Sequence, residues 1–235
     1  MKKTKSTFTV SVVIPVYNSE KTVIREIKHV LGILLSKKID FEILISDDQS
    51  TDTSYSLLYN HFRQNRNIKL FKQKKNIGIS KNIHFLYSNA AKQYTLLYSI
   101  DGDWNYHDIS KLIDTAKQGM YDIVIGKRKN KNGYTFFRRC ITISYNILPR
   151  ILYRTNTIDA GSIKIFRTSV YKSLILTSTS IFFEAEFIIR ALKKSCSMTS
   201  VKVRYSKQKR KSQRSVNISM VIDSLKDVLR IMFSL

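Results

Sequence analysis

The feature that most constrains this chain is a rhythm. From residue 10 to residue 125, short runs of β-branched and other apolar residues alternate with helical patterns. Residues 10–16 form such a run without the polar alternation of a half-exposed strand, which predicts a strand buried on both faces. A helical pattern over 21–35 follows, then a second buried run at 41–46. Residues 47–53 are a polar turn that offers capping side chains to a helix through Tyr55, Leu58 and Phe62. The pattern continues with strands at 68–71, 95–100 and 121–125, and with helices at 80–91 and 109–118. Strands alternating with helices imply an α/β fold, a mostly parallel central sheet with helices on both faces. Ligands on such sheets bind at the carboxyl ends of the strands.

Those predicted ends hold Tyr17 and Asn18, Asp47 and Asp48, Asp101 and Asp103, and Lys127 and Arg128. One aspartate after a strand is most simply a turn former or a helix cap. Polar groups after four separate strands point instead to a site at one edge.

The later chain is less regular. Residues 123–158 contain no acid and 8 basic residues among aromatics and aliphatics, a spacing that suits an amphipathic helix broken near Pro149. A short strand is predicted over 162–166, helices over 168–176 and 184–194, and a half-buried edge strand over 199–205. A basic loop at 207–214 leads into a last amphipathic helix, 217–235, with Met220, Val221, Leu225, Val228, Leu229 and Met232 on one side. No internal repeat or linker interrupts the 235 residues, and 43% hydrophobic content suffices for a sizeable core.

Charge narrows the partners. The chain carries a formal net charge of +24, and most of the excess lies late: residues 1–122 hold 18 basic and 12 acidic side chains, residues 123–235 hold 23 and 5. Such a field attracts nucleic acid, an anionic membrane surface or phosphorylated small molecules. The two cysteines, Cys140 and Cys196, make no disulfide framework, and the four histidines show no metal spacing. The basic start followed by the apolar run at 8–16 is not a signal peptide, because Pro15 interrupts it and Tyr17 and Asn18 follow it. No stretch reaches the roughly 18 apolar residues of a membrane span.

The triplet Asp101-Gly102-Asp103 has two readings. In an extended segment residues two apart point the same way, so both carboxylates can face one Mg²⁺ or Mn²⁺ whose remaining positions take water and phosphate oxygens. The same triplet also makes an ordinary turn.

Residues 12–18 (VVIPVYN), 46–53 (SDDQSTDT), 76–78 (NIG), 99–104 (SIDGDW) and 121–128 (YDIVIGKR), in that order, resemble the signature of the family-2 glycosyltransferases of the GT-A fold. Within that family the chain is most similar to the dolichyl-phosphate mannose synthase group, which makes polyprenyl phosphate sugars. The similarity runs on through 137–139 (FRR), 158–168, 183–192 (FEAEFIIRAL) and 201–205. The resemblance implies one GT-A domain over 1–235, with a nucleotide-sugar half at 1–126, an acceptor half at 127–215 and the terminal helix at 216–235. It places Pro15, Tyr17 and Glu20 under the nucleotide and Asp48 at the base or ribose. It also places Asp101 and Asp103 at the metal, Asn105 as a further oxygen ligand, and Arg128, Arg139 and Arg210 at phosphates. Gln49 and Thr53 stand where glycines are usual, and Gln213 replaces another glycine in the basic loop. Trp104, where a smaller residue is common, is either an aromatic wall for the sugar or a packed loop residue.

The implied reaction is metal-dependent displacement with inversion, from a GDP- or UDP-linked sugar to a polyprenyl phosphate, by an enzyme peripheral at the cytoplasmic face of a membrane. A lipid phosphate is already anionic and needs positioning rather than a base. A sugar-hydroxyl acceptor, as in extension of a surface polysaccharide or glycolipid, needs a carboxylate to take its proton. Glu184, Glu186 and Asp159 are the acids available for that, with Glu186 at the family's usual Glu, although a helix-start acid also serves as a cap or ion-pair partner. The terminal helix either inserts its apolar side into the bilayer or docks on its own domain. Nucleic-acid binding rests on charge alone and is the disfavoured alternative.

Overall fold

The computed structural model describes residues 8–100, 104–128, 161–204 and 218–234. Asp101, Asp103, Arg139, Asp159, Arg210 and the helix expected near Pro149 lie outside the described residues.

The apolar runs become strands β1 (Thr9–Val16), β2 (Asp40–Asp47), β3 (Ile68–Lys72), β4 (Tyr94–Leu97) and β5 (Ile123–Arg128). The helices between them are α1 (Val23–Ser36), α2 (Ser54–Phe62), α3 (Ile79–Asn89) and α4 (His107–Gly119). Later come β6 (Lys164–Arg167), α5 (Thr168–Lys172), α6 (Phe183–Lys193), β7 (Met198–Val203) and α7 (Ile218–Ser234). One sheet runs in the order β3-β2-β1-β4-β6-β5-β7. Among the described strands only β6 is antiparallel to its neighbours, β4 and β5. The carboxyl ends of β1, β2, β4 and β5 therefore share one edge.

The buried strands carry apolar side chains on both faces because helices cover both. Alternate residues of β1 divide accordingly: Val10, Val12 and Ile14 join the core under α1, α2 and α4, whereas Val13 packs with α3 and α6. As predicted, β7 is a half-buried edge strand.

Boundaries move for local reasons. β5 starts two residues later than the pattern suggests, because Asp122 accepts from the Ser197 N–H and hydroxyl and pairs with Arg167. It also runs on to Arg128, carried by parallel pairing with β7. β4 ends at Leu97 instead of Ile100, where the β6 ladder stops, although the Tyr98 N–H still reaches the Val13 carbonyl. The helix expected over 168–176 stops at Lys172, and the Thr177 and Ser178 amides turn to Glu186.

The last helix corrects a prediction. Leu229, expected on its apolar side, is 56% exposed and Ile222 is 46% exposed; among the described side chains Ser224, Asp227 and Ile231 are buried, and Val228 is half-buried as the pattern expects. What α7 meets is mixed: Ile231 and half-buried Val228 join the apolar cluster of α3 and α6, and Asp227 Oδ2 accepts the N–H groups of Thr179 and Ser180, just before α6. The two amides of this turn need an acceptor away from water, so a carboxylate rather than a leucine faces them.

Candidate active site

Chain direction reverses its side of the sheet between β1 and β4: α1 leads from β1 to β2 over one face, and α3 leads from β3 to β4 over the other. A doubly wound sheet opens a crevice at that switch point. Pro15 contributes to the opening. The Val13 carbonyl faces β4, so two residues on the ring nitrogen of Pro15 faces the same side with no hydrogen to give, and β1–β4 pairing ends at Val13 and Leu97.

The loops after β1 and β2 are stitched to each other by short side chains. The Asn18 N–H donates to Ser50 Oγ (2.9 Å) and Asn18 Oδ1 accepts from the Thr51 N–H (2.8 Å). The Ser19 N–H donates to Ser54 Oγ (2.8 Å) and the Glu20 N–H to Asp52 Oδ2 (3.1 Å). Glu20 Oε2 accepts from both the amide and the hydroxyl of Thr53 (2.7 Å to the hydroxyl). Thr53, at the N-cap of α2, is thus drawn away from capping, and Asp52 Oδ1 takes the Ser54 amide instead. Burial pushes the Asp52 carboxyl up, but bonds from the Ser54 hydroxyl and amide and the Glu20 amide pull harder and leave it below the usual range. Gln49, in place of a glycine, still adopts the left-handed conformation at φ 59°.

Asp48 is buried and both its oxygens are occupied, Oδ1 by the Ile77 amide (2.8 Å) and Oδ2 by the Gly78 amide (2.9 Å). Its carboxyl is nevertheless raised, since burial and the neighbouring Asp47 outweigh those two bonds. Asp48 holds the 76–78 turn at the start of α3, and Asn76 reinforces it by donating to the Asp48 carbonyl. Tyr17 is exposed beside this platform.

On the other side of the crevice, Arg128 ends β5 with its guanidinium carbon 5.7 Å from the ring centroid of Trp104. Asn105, expected to offer an oxygen to a metal, directs Oδ1 to the His107 amide (3.0 Å) at the start of α4. Asp108, which the sequence did not single out, is buried and clamps this region: Oδ2 accepts the Arg204 amide just beyond β7 (2.6 Å) and Oδ1 accepts Lys111. An acid in the first turn of a helix was its only sequence signal.

The two α6 acids are anchors. Glu186 is fully buried and accepts the Thr177 and Ser178 amides (3.0 and 2.8 Å), the Thr177 hydroxyl and Arg190 Nε (2.6 Å). Burial raises its carboxyl, and these donors more than reverse the effect, leaving it below the ordinary glutamate range. Glu184 pairs with buried Lys164 and accepts the Tyr87 hydroxyl (3.0 Å), whose pKa burial and that negative charge drive well upward. The structure thus brings together Pro15, Tyr17, Glu20 and Asp48 on one side of the crevice and Asn105 and Arg128 on the other, with Glu186 apart beneath a loop.

A doubly wound sheet with this carboxyl edge is the GT-A architecture. The solved mannosyl-3-phosphoglycerate synthase from Rubrobacter xylanophilus shares it at a TM-score of 0.73 and 16% identity, over 97% of this chain and 74% of that one. Sequence then gives the family. The chain belongs to glycosyl transferase family 2, whose model matches residues 11–175. It is 30% identical over 152 residues to an uncharacterized glycosyltransferase of Synechocystis sp., covering 62% of this chain and 46% of that protein. It is 25% identical over 170 residues to the dodecaprenyl-phosphate galacturonate synthase of Rhizobium johnstonii, covering 71% and 50%. The chain spans about half the length of these curated relatives.

Proposed function

We propose that the chain transfers a sugar from a UDP- or GDP-linked donor to a polyprenyl phosphate, with inversion at the anomeric carbon. The acceptor phosphate oxygen supplies the electron pair for the new bond, and the nucleoside diphosphate leaves with the pair of the old one. The observation that carries this reading is the crevice itself, with a rigid polar platform on one wall and the Arg128 guanidinium on the other, beside a family relative named for dodecaprenyl phosphate. A guanidinium suits phosphate oxygens because it offers paired charge-assisted donors. Arg139 and Arg210 are assigned to the same work.

Asp101 and Asp103 follow the buried residues Tyr98 and Ile100 just beyond β4, and two carboxylates fit a hard ion such as Mg²⁺ or Mn²⁺. When bound, the ion neutralises charge that grows on the leaving diphosphate. Asn105 is left to support the turn into α4. Because a phosphate acceptor brings its own charge, Glu186 is assigned to holding the 177–178 loop rather than to proton transfer.

Residues 1–126 serve the donor and 127–215 the acceptor in this reading. Among the described residues no helix is long and apolar enough to cross a membrane. Peripheral attachment to an anionic cytoplasmic surface is supported by the basic stretch 207–214 and by Ile222 and Leu229, exposed on α7.

The test offers radiolabelled UDP- and GDP-sugars, with Mg²⁺ or Mn²⁺, to undecaprenyl phosphate and to saccharide acceptors side by side. Label entering the lipid phosphate is expected. Label entering saccharides alone would replace the lipid reading with glycan extension.

A further inference from the structure

We infer that the groove between the starts of α3 and α6 holds a length of the acceptor's isoprenoid chain, leading it from the crevice toward α7. The inference rests on the polyprenyl phosphate reading above and deepens it by naming where the hydrocarbon lies.

α3 and α6 lie side by side on one face of the sheet, where the His84 and Phe183 rings stand 4.2 Å apart. Nearer the start of α3 a gap opens. Ile77 and Ile79 line it on one side, Ile181 on the other, together with Asp223 of α7, and its volume is about 180 Å³. The space reaches the backbone, since nothing lies within 4 Å of the place that a Cβ on Gly78 would take. An apolar cavity of ~150 Å³ accepts a benzene ring, so this groove has room for about one isoprene unit.

Both helices begin at the carboxyl edge of the sheet. α3 follows β3, and Glu184 in the first turn of α6 pairs with Lys164, which stands in register with Leu97 of β4 and Ile125 of β5. One wall therefore comes from the half assigned to the donor and the other from the half assigned to the acceptor. The groove follows the seam where the two substrates must meet. Its remaining side is α7, where exposed Ile222 precedes Asp223, so a chain leaving the groove keeps apolar surface beside it.

The chemistry of the lining favours hydrocarbon over a nucleotide or a saccharide, which need directional polar partners. The amides that border the groove are taken: Gly78 donates to Asp48 (2.9 Å), and Thr179 and Ser180 donate to Asp227 (3.1 and 3.0 Å). Ser180 Oγ accepts from the Phe182 amide (3.1 Å). What these bonds leave is the branched surface of three isoleucines, with Ile79 37% exposed at the helix start. Covering such surface with another apolar group is favourable in proportion to the area removed from water. Lys81 and Asp223 on the lining offset each other's charge, and Asp223 keeps the lipid's phosphate from settling here instead of in the crevice.

The test measures binding of farnesyl phosphate, a short prenyl phosphate, and of inorganic phosphate by calorimetry on the full chain. The wild type is expected to bind farnesyl phosphate about tenfold or more tighter than inorganic phosphate, and equal affinities overturn the inference. Ile79→Ser should weaken farnesyl phosphate about fivefold and leave inorganic phosphate unmoved. Thr179→Phe keeps the amide that Asp227 accepts but fills the groove, and should weaken farnesyl phosphate to a similar degree. Leu229→Ser, exposed on α7 outside the lining, should stay within about twofold. An equal loss in Leu229→Ser, which signals adsorption to any apolar surface, overturns the inference, as does wild-type affinity in both groove variants. If the wild type nevertheless labels undecaprenyl phosphate in the transfer assay, the polyprenyl phosphate reading stands and the groove alone is refuted. Label entering saccharides alone overturns both. Should Ile79→Ser fail to fold, Thr179→Phe, which alters an exposed side chain, decides.

Discussion

The loops after β1 and β2 and the later chain are held by opposite strategies. The loops after β1 and β2 are bound by many short, partly exposed side-chain to backbone bonds involving Asn18, Ser19, Glu20, Asp52 and Thr53. The later chain relies on a few buried carboxylates, each with several donors: Asp108 for the turn after Trp104, Asp227 for the start of α6, and Glu186 for the loop before it. Distributed bonds tolerate single losses. Concentrated ones do not, because removing one acceptor orphans several buried donors at once.

Substitutions in order of expected size test that contrast. Glu186→Ala should cost about 3–5 kcal/mol in urea unfolding, since it leaves a guanidinium and two amides unpaired. Asp108→Ala should cost about 2–3 kcal/mol. Asp52→Ala, among the distributed bonds, should cost about 1 kcal/mol. An Asp52 loss as large as that of Glu186 would break the comparison. Gln49→Gly should instead stabilise by about 0.5–1 kcal/mol, as relief of the left-handed strain exceeds the added chain entropy.

Acid titration sharpens the contrast further. The Glu186 carboxyl is lowered by folding, so its contribution is complete above the ordinary value of about 4.5 and is lost as pH falls through its lower folded value. Glu186→Gln should flatten that acid limb in a pH series of denaturation midpoints. Asp48, raised by folding, has the opposite sign. Folding gains from its protonation as pH falls through the raised value, so Asp48→Asn should steepen the net acid loss.

The rhythm of apolar runs made the alternating elements and the shared carboxyl edge legible, because burial on both faces leaves no room for polar positions in β1 or β2. The strand order was not legible in the same way. A run such as 162–166 says that a strand exists, not that it slips antiparallel between β4 and β5. Scarcity of acids drew attention to Glu186, but nothing in FEAEFIIRAL tells that Thr177 and Ser178 aim their amides at it. Gln49 shows the reverse case: a missing glycine suggests a changed loop, yet the surrounding bonds hold the backbone where a glycine would sit. On α7 the apolar count placed Val228 rightly and Leu229 wrongly, because it could not show that Asp227 meets the Thr179 and Ser180 amides.

The place of β6 also governs the order in which the molecule can be completed. Among the described residues β5 pairs with β6 and β7 alone, and both lie more than thirty residues further along the chain. A nascent polypeptide that has emerged only to Arg128 therefore has β1 to β4 ready to assemble, while β5 waits without a neighbour and β4 shows one bare edge. Until the ribosome delivers Lys164–Arg167, half the crevice has no floor, and that interval is when this protein most needs shielding from its own copies.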